Sequence, residues 1–203
     1  MGDEIFFSQY LKEGDCCVDV GANMGALAIH AGTLVGPVGR VIAIEAHPRI
    51  AGFLRRNIAL NGLSNIETVS VAVGEHAGHV KFTNIRSDDQ NAVVDDNHGT
   101  IPMKRLDDIV PFDVQVDLLK IDVEGYELKV LQGSERVLAT TQVVYFEAWE
   151  QHYRKLDYST PDVTAYLSAR GFEVLLRDHE GILASVPPDW HADECVNLVA
   201  LRR

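Results

Sequence analysis

The run Cys17-Val18-Asp19-Val20 breaks on Gly21-Ala22-Asn23-Met24-Gly25, and a helical pattern follows at once, with Leu27, Ala31, Leu34 and Val35 at helical spacing. A short β-branched run that ends on glycine and passes into a 3.6-residue period is a strand–turn–helix unit. A chain assembled from such units has few architectures open to it. The unit recurs: Val41-Ile42-Ala43-Ile44 ends at Glu45, Pro48 opens a helix with the stripe Ile50, Phe53, Leu54 and Ile58, and Asn61-Gly62 closes it. Glu67 to Val73 reads as a third strand, and Val80 to Thr83 as a short extra one. Asp117 to Val123 is an apolar strand, and Tyr126 to Ala139 reads as one helix with Leu128, Leu131 and Leu138 inward. Val143 to Phe146 is the next strand, and Pro161 to Arg170 is a helix stopped by Gly171. Phe172 to Leu176 and Cys195 to Leu201 read as the final strands.

This alternation predicts an α/β, three-layer Rossmann-like sandwich: a seven-stranded, mostly parallel sheet covered on both faces, with an antiparallel last strand. The last two strands have no helix between them, so they are expected to pair as a hairpin-like antiparallel edge, joined through Pro187 and Pro188. With 203 residues and no linker or internal repeat, residues 1–203 form one domain on this reading. Residues 84–104 are polar and aperiodic, and they are expected to be a long loop acting as a lid.

Charge narrows the partners. Against 30 acidic residues stand 18 Lys and Arg, a net charge of −12, and the densest basic cluster is only Arg55-Arg56. Such a surface repels phosphate backbones, so nucleic acid is not expected as a partner. No stretch approaches the ~18 apolar residues of a membrane span. The first residues, MGDEIFFSQYLKEGD, lack the apolar core of a secretory signal, and an odd count of three cysteines fits a reducing compartment. A soluble cytoplasmic protein is expected, with homo-oligomerisation left open.

Open α/β sheets bind ligands at the carboxyl ends of their strands. The turn Gly21-Ala22-Asn23-Met24-Gly25 lacks the G-x-G-x-x-G spacing that seats a pyrophosphate, and Asp19 just before it argues for a ligand with a cationic group. Asp19 would face an α-ammonium, while Glu45 at the end of the second strand would accept two ribose hydroxyls. An amino-acid end and a ribose end together describe S-adenosyl-L-methionine. The bland alternative is a capped turn and a solvated strand end.

Read with a second block, Leu119-Lys120-Ile121-Asp122-Val123-Glu124-Gly125-Tyr126-Glu127 continuing to Val130-Leu131-Gln132-Gly133, these residues resemble the FkbM family of S-adenosylmethionine-dependent methyltransferases. Arg105-Leu106-Asp107-Asp108-Ile109 resembles that family's L-D-D element, and the resemblance covers roughly residues 15–150. One departure is Ala46-His47-Pro48, where the family more often has proline directly after the acidic residue. The resemblance implies the class I methyltransferase fold and, often, O-methylation of sugars, polyketides or other small metabolites. The cofactor-binding set on this reading is Asp19, Gly21, Ala22, Asn23, Gly25, Glu45, Ala46, Val73 and Asp122.

For the acceptor side, Asp122 and Glu124 stand two apart at a strand end, and Glu147 closes the next strand; these three are the catalytic candidates. Each has a structural alternative: Glu124 and Glu127 as helix caps, Glu147 as a solvated strand end. Trp149, His152 and Tyr153 are candidates for an aromatic wall. The eight histidines show no ligand-pair spacing, so no metal site is expected; Asp107, Asp108 and Asp122 are the remaining hard-cation option. The expected function is methyl transfer to a hydroxyl, less readily an amino group, of a small-molecule acceptor. The rivals are a nucleic-acid or protein methyltransferase on the same fold and a non-catalytic cofactor-binding module.

Overall fold

The structure, a computed structural model, describes residues 2–82, 93–95, 100–178 and 180–203. Its elements in chain order are α1 (Gly2–Tyr10), β1 (Cys16–Val20), α2 (Ala26–Val35), β2 (Arg40–Ile44), α3 (Pro48–Leu60), β3 (Ile66–Val69), β4 (Ala72–Val73), β5 (Gly78–Phe82), β6 (Val93–Asp95) and β7 (Ile101–Lys104). There follow β8 (Leu118–Ile121), α4 (Glu127–Gln132), α5 (Glu135–Thr140), β9 (Val143–Ala148), α6 (Glu150–Tyr153), α7 (Thr160–Ser168), β10 (Phe172–Arg177), β11 (Leu183–Ser185) and β12 (Val196–Arg202).

The main sheet has eight strands in the order β11-β10-β12-β9-β8-β1-β2-β3. Strands β3, β2, β1, β8 and β9 are parallel, and β12 runs antiparallel between β9 and β10. The strand sequences are almost continuously apolar because both faces are covered. Along β1, Val18 and Val20 join one core with Ile121, Phe146, Leu131 and Leu167. Cys17 joins the other, with Ala31, Leu54, Tyr145 and Phe7. Strand alternation thus feeds two hydrophobic layers from one ladder.

Four expectations are corrected. The last two expected strands, β10 and β12, pair antiparallel as expected, but they do not form the edge: β12 inserts between β9 and β10, and the short β11 occupies the edge, so the sheet has eight strands and not seven. The apolar residues of β12, Leu198, Val199 and Ala200, are each fully buried, because a core layer covers each face of the sheet there. Glu67 to Val73 is not one strand either. It ends as β3 at Val69, and Ala72–Val73 re-pairs with β7 in a second, four-stranded sheet of order β4-β7-β5-β6. Residues 100–104, expected as loop, hold β7, whose Ile101 and Met103 are buried against Ala72, Val80 and Tyr126. The rest of the expected lid, apart from β6, lies outside the described residues. Finally, Tyr126 to Ala139 is two helices, because the chain turns at Gly133-Ser134. Asp107 then caps the second of them, accepting from the free amides of Arg136 (3.1 Å) and Val137 (3.0 Å).

Smaller departures follow from packing. Phe53 of the expected α3 stripe is 38% exposed, and Ala51 takes the inward place. Helix α1 was not anticipated from the N-terminal residues. It is held by Phe6 stacked on Tyr145 at 4.4 Å and by the Tyr145 hydroxyl donating to Asp3 at 2.6 Å.

Candidate active site

The carboxyl ends of β1, β2, β8 and β9 lie along one edge of the parallel region. After β1 the chain builds outward through β2 and β3; β8 and β9 extend the sheet the other way, so the order switches between β1 and β8. That switch is where such sheets open a crevice.

The turn after β1 is fixed by backbone geometry. Gly21 has φ +78, and a Cβ there would sit 1.9 Å from the carbonyl oxygen of Asp122. Only glycine combines that conformation with that approach. The amides of Gly21 and Ala22 both donate to the Ile44 carbonyl at 2.9 Å. Asn23 also adopts a left-handed conformation, φ 50, and its amide donates to Glu45 Oε2 at 3.0 Å. The other oxygen of Glu45 accepts from the His47 amide at 2.8 Å. Glu45 therefore ties the β1 and β2 turns together. Burial raises its pKa, an effect opposed by those two amides and by the Lys120 charge.

Asp19 lies beneath this turn, fully buried, with the Lys120 ammonium 3.0 Å from its carboxylate. Lys120 also donates to the Gly21 carbonyl at 2.7 Å and stands 3.6 Å from Asp122. Burial alone would lower the Lys120 pKa, but Asp19 and Asp122 outweigh it and hold the ammonium charged. The cation facing Asp19 is thus supplied by the protein itself. Val73, another expected cofactor residue, is buried in the main core. Ala46 is partly buried and packs against the core of the second sheet.

The second block forms a tight turn after β8. Asp122 closes the strand with its side chain 44% exposed. Glu124 has φ 55 and Gly125 φ 101. A Cβ at Gly125 would meet His152 Cβ at 2.7 Å, so glycine lets the β9–α6 segment close against this turn. Glu127 locks it from below: its Oε1 accepts from the amides of Val123 (3.0 Å) and Gly125 (3.3 Å). Burial pushes the Glu127 carboxyl up to about 8, against the pull of those amides. Glu127 therefore holds the turn before α4 and does not cap the helix, the alternative weighed for it.

Glu147 at the end of β9 is raised in pKa by burial and by the nearby Asp122 charge, and it accepts from Cys195 Sγ at 3.0 Å. Glu124, Glu147 and His152 each bring one ligand-type atom within 4.8 Å of the others. The sequence holds no spacing signal for this convergence, because His152 reaches it only through α6. Tyr153, expected in an aromatic wall, is fully buried, and its hydroxyl donates to the Glu147 carbonyl at 2.9 Å. Trp149 lies 4.3 Å from the His152 ring. Asp107 is committed to Arg105 and the start of α5, which removes it from the expected hard-cation set.

A sheet of this strand order, with a glycine turn after β1 and a carboxylate after β2, is the class I methyltransferase fold. The methyltransferase FkbM domain matches residues 19–174. Among curated proteins, the chain is similar to methyltransferase sdnD of Sordaria araneosa, at 26% identity over 92% of this chain and 81% of that protein. Among solved structures, it resembles precorrin-6y C5,15-methyltransferase of Geobacter metallireducens GS-15 (TM-score 0.57, 17% identity, 98% of this chain, 86% of that one). Methyltransferase FkbM of Methylobacillus flagellatus KT is also similar (TM-score 0.56, 18% identity, 98% of this chain, 50% of that one). The chain belongs to the FkbM methyltransferase family.

The residues fit the adenosyl cofactor of this class. Each Glu45 oxygen accepts one backbone hydrogen bond, and a carboxylate oxygen has capacity for a second, as a ribose diol requires. Among the described residues no helix is long and apolar enough to cross a membrane.

Proposed function

We propose that this methyltransferase acts on a hydroxyl group of a small metabolite, with Asp122 as the group that orients and deprotonates the acceptor. The cofactor, when bound, supplies an electrophilic methyl group. The observation that carries the reading is the placement of three part-exposed carboxylates, Asp122, Glu124 and Glu147, at the ends of β8 and β9, beside the glycine turn after β1. A hydroxyl becomes a competent nucleophile as its proton leaves, and a carboxylate within hydrogen-bond reach receives that proton. Asp122 is the most open of those that face Lys120, and its neighbours would hold further hydroxyls of the acceptor.

On this reading Glu45 receives the ribose hydroxyls, and Gly21, Ala22, Asn23, Gly25 and Ala46 form the wall around them. Asp19 acts at one remove, holding Lys120 and through it the Gly21 carbonyl. The acidic chain, with 30 Asp and Glu, disfavours a nucleic-acid acceptor. Cysteines Cys16, Cys17 and Cys195 are all free thiols, which supports a cytoplasmic setting.

The test is incubation with methyl-labelled cofactor and fractionated metabolite extracts, with products identified by mass spectrometry. Label in an ether linkage is the expected result. Label found only in RNA, protein or amine products would overturn the acceptor assignment.

A further inference from the structure

We infer that Glu124, Glu147 and His152 form a binding site for a divalent first-row transition ion at the acceptor side of the crevice. The three ligand-type atoms lie within 4.8 Å of one another, close enough for one ion to bridge them with small side-chain adjustment. They come from three separate segments: the turn after β8, the end of β9, and α6.

The convergence is built and not incidental. Glu124 sits in the left-handed region, φ 55, a conformation that costs a non-glycine residue about 1–3 kcal/mol and persists only where its surroundings impose it. The surroundings are present: Glu127 takes the amides on either side of Glu124, and the Tyr158 hydroxyl donates to the Gly125 carbonyl. Gly125 admits His152 at a distance no side chain would allow. His152 Nδ1 is buried, accepts no hydrogen bond, and lies 3.6 Å from Glu124 Oε2. Outside the three ligands, Cys195 donates to Glu147, and the Trp149 ring flanks the imidazole. Partners of this kind orient ligands in metal sites. A simple Glu124–His152 ion pair would need neither Glu147 nor its thiol neighbour.

Two carboxylates and an imidazole select Mn²⁺, Fe²⁺, Co²⁺ or Zn²⁺ over Mg²⁺ and Ca²⁺, which favour oxygen donors alone. Three protein ligands leave coordination positions open for oxygen atoms of an acceptor. The site stands on its own geometry; only its use in holding the acceptor rests on the hydroxyl reading above.

The experiment uses the full chain, stripped with chelator and dialysed. Co²⁺ is titrated in and followed by visible absorption, Mn²⁺ by electron paramagnetic resonance, and S-adenosylhomocysteine affinity is measured in parallel as the control for folding. Saturable binding of a single Co²⁺ per chain is expected, weakened at least tenfold by His152→Ala and by Glu147→Gln, with S-adenosylhomocysteine affinity kept within a few-fold. Should His152→Ala lose the adenosyl ligand as well, the isosteric Glu124→Gln decides, with the same tenfold loss expected. No Co²⁺ or Mn²⁺ binding by folded protein, equal binding in the variants, or Mg²⁺ binding as tight as Co²⁺ would each overturn the site. Metal binding without any ether product sinks the acceptor reading alone, whereas ether formation by a chain that binds no metal sinks the site alone.

Discussion

The ammonium of Lys120 lies 3.0 Å from the carboxylate of Asp19 across the β1–β8 ladder, and their side chains are 6% and 1% exposed. Burying either charge alone is costly, and the pair offsets that cost only while both members are present. Lys120→Met leaves a buried, unpaired carboxylate and should lower the unfolding free energy by about 3–5 kcal/mol. The double variant Asp19→Asn with Lys120→Met removes both charges and should recover most of that loss. Urea denaturation of the two proteins checks this. A single variant no less stable than the double would show that the pair is not coupled.

Glu45 joins two turns through the amides of Asn23 and His47. Its removal should loosen both turns and delete the acceptor for the ribose hydroxyls. We expect Glu45→Ala to weaken S-adenosylhomocysteine binding by ~1–3 kcal/mol in calorimetry, while thermal stability changes less. An unchanged affinity would move ribose recognition away from β2.

What the sequence revealed and what it hid divide along contact distance. The glycine turn at Gly21 and Gly25 is a local pattern and can be singled out from the sequence, whereas the cation that faces Asp19 and the second turn that Glu45 ties come from other segments, Lys120 and Asn23. The placement of β12 was not legible, because Leu198, Val199 and Ala200 would be as apolar in an edge strand covered on both faces, and only the partner β9 distinguishes the cases. The α4–α5 break was hidden because Leu128, Leu131 and Leu138 keep helical spacing through Gly133-Ser134. Likewise Lys120 reads as an ordinary strand residue until its register against Asp19 is known. His152 and Cys195 join Glu147 only through tertiary closure, which no local pattern records.

Glu127 gives stability a pH dependence of known sign. Its folded pKa, raised to about 8 chiefly by burial, exceeds the ordinary carboxyl value of 4.5. A group shifted upward stabilises the fold fully below its unfolded pKa and loses that contribution as pH rises through the folded value. Between these limits the loss runs at about 1.4 kcal/mol per pH unit. Glu127→Gln keeps an oxygen for the amides of Val123 and Gly125 but has no proton to lose. Relative to wild type, the variant should therefore gain stability steadily from pH 5 to pH 8, measured by urea midpoints across that range. A constant difference would mean that Glu127 is ionised throughout.

Asp122 is the residue on which the chemistry turns. Its side chain is 44% exposed and 3.6 Å from Lys120, so a change there does not strand the buried lysine, which keeps Asp19 and the Gly21 carbonyl. Asparagine preserves the shape of the side chain and removes its charge and basicity. If Asp122 takes the acceptor proton, Asp122→Asn should lower kcat by ~10²-fold or more, the usual size of a general-base contribution, with S-adenosylhomocysteine affinity within a few-fold of wild type. If it only orients the acceptor through a hydrogen bond, KM for the acceptor should rise while kcat falls far less. Raising the pH separates the two further: added hydroxide ionises the acceptor without the carboxylate, so the kcat deficit should shrink at alkaline pH only under the first role. Near-wild-type turnover at saturating acceptor and cofactor would leave proximity as the main source of rate and return Asp122 to its structural place beside Lys120.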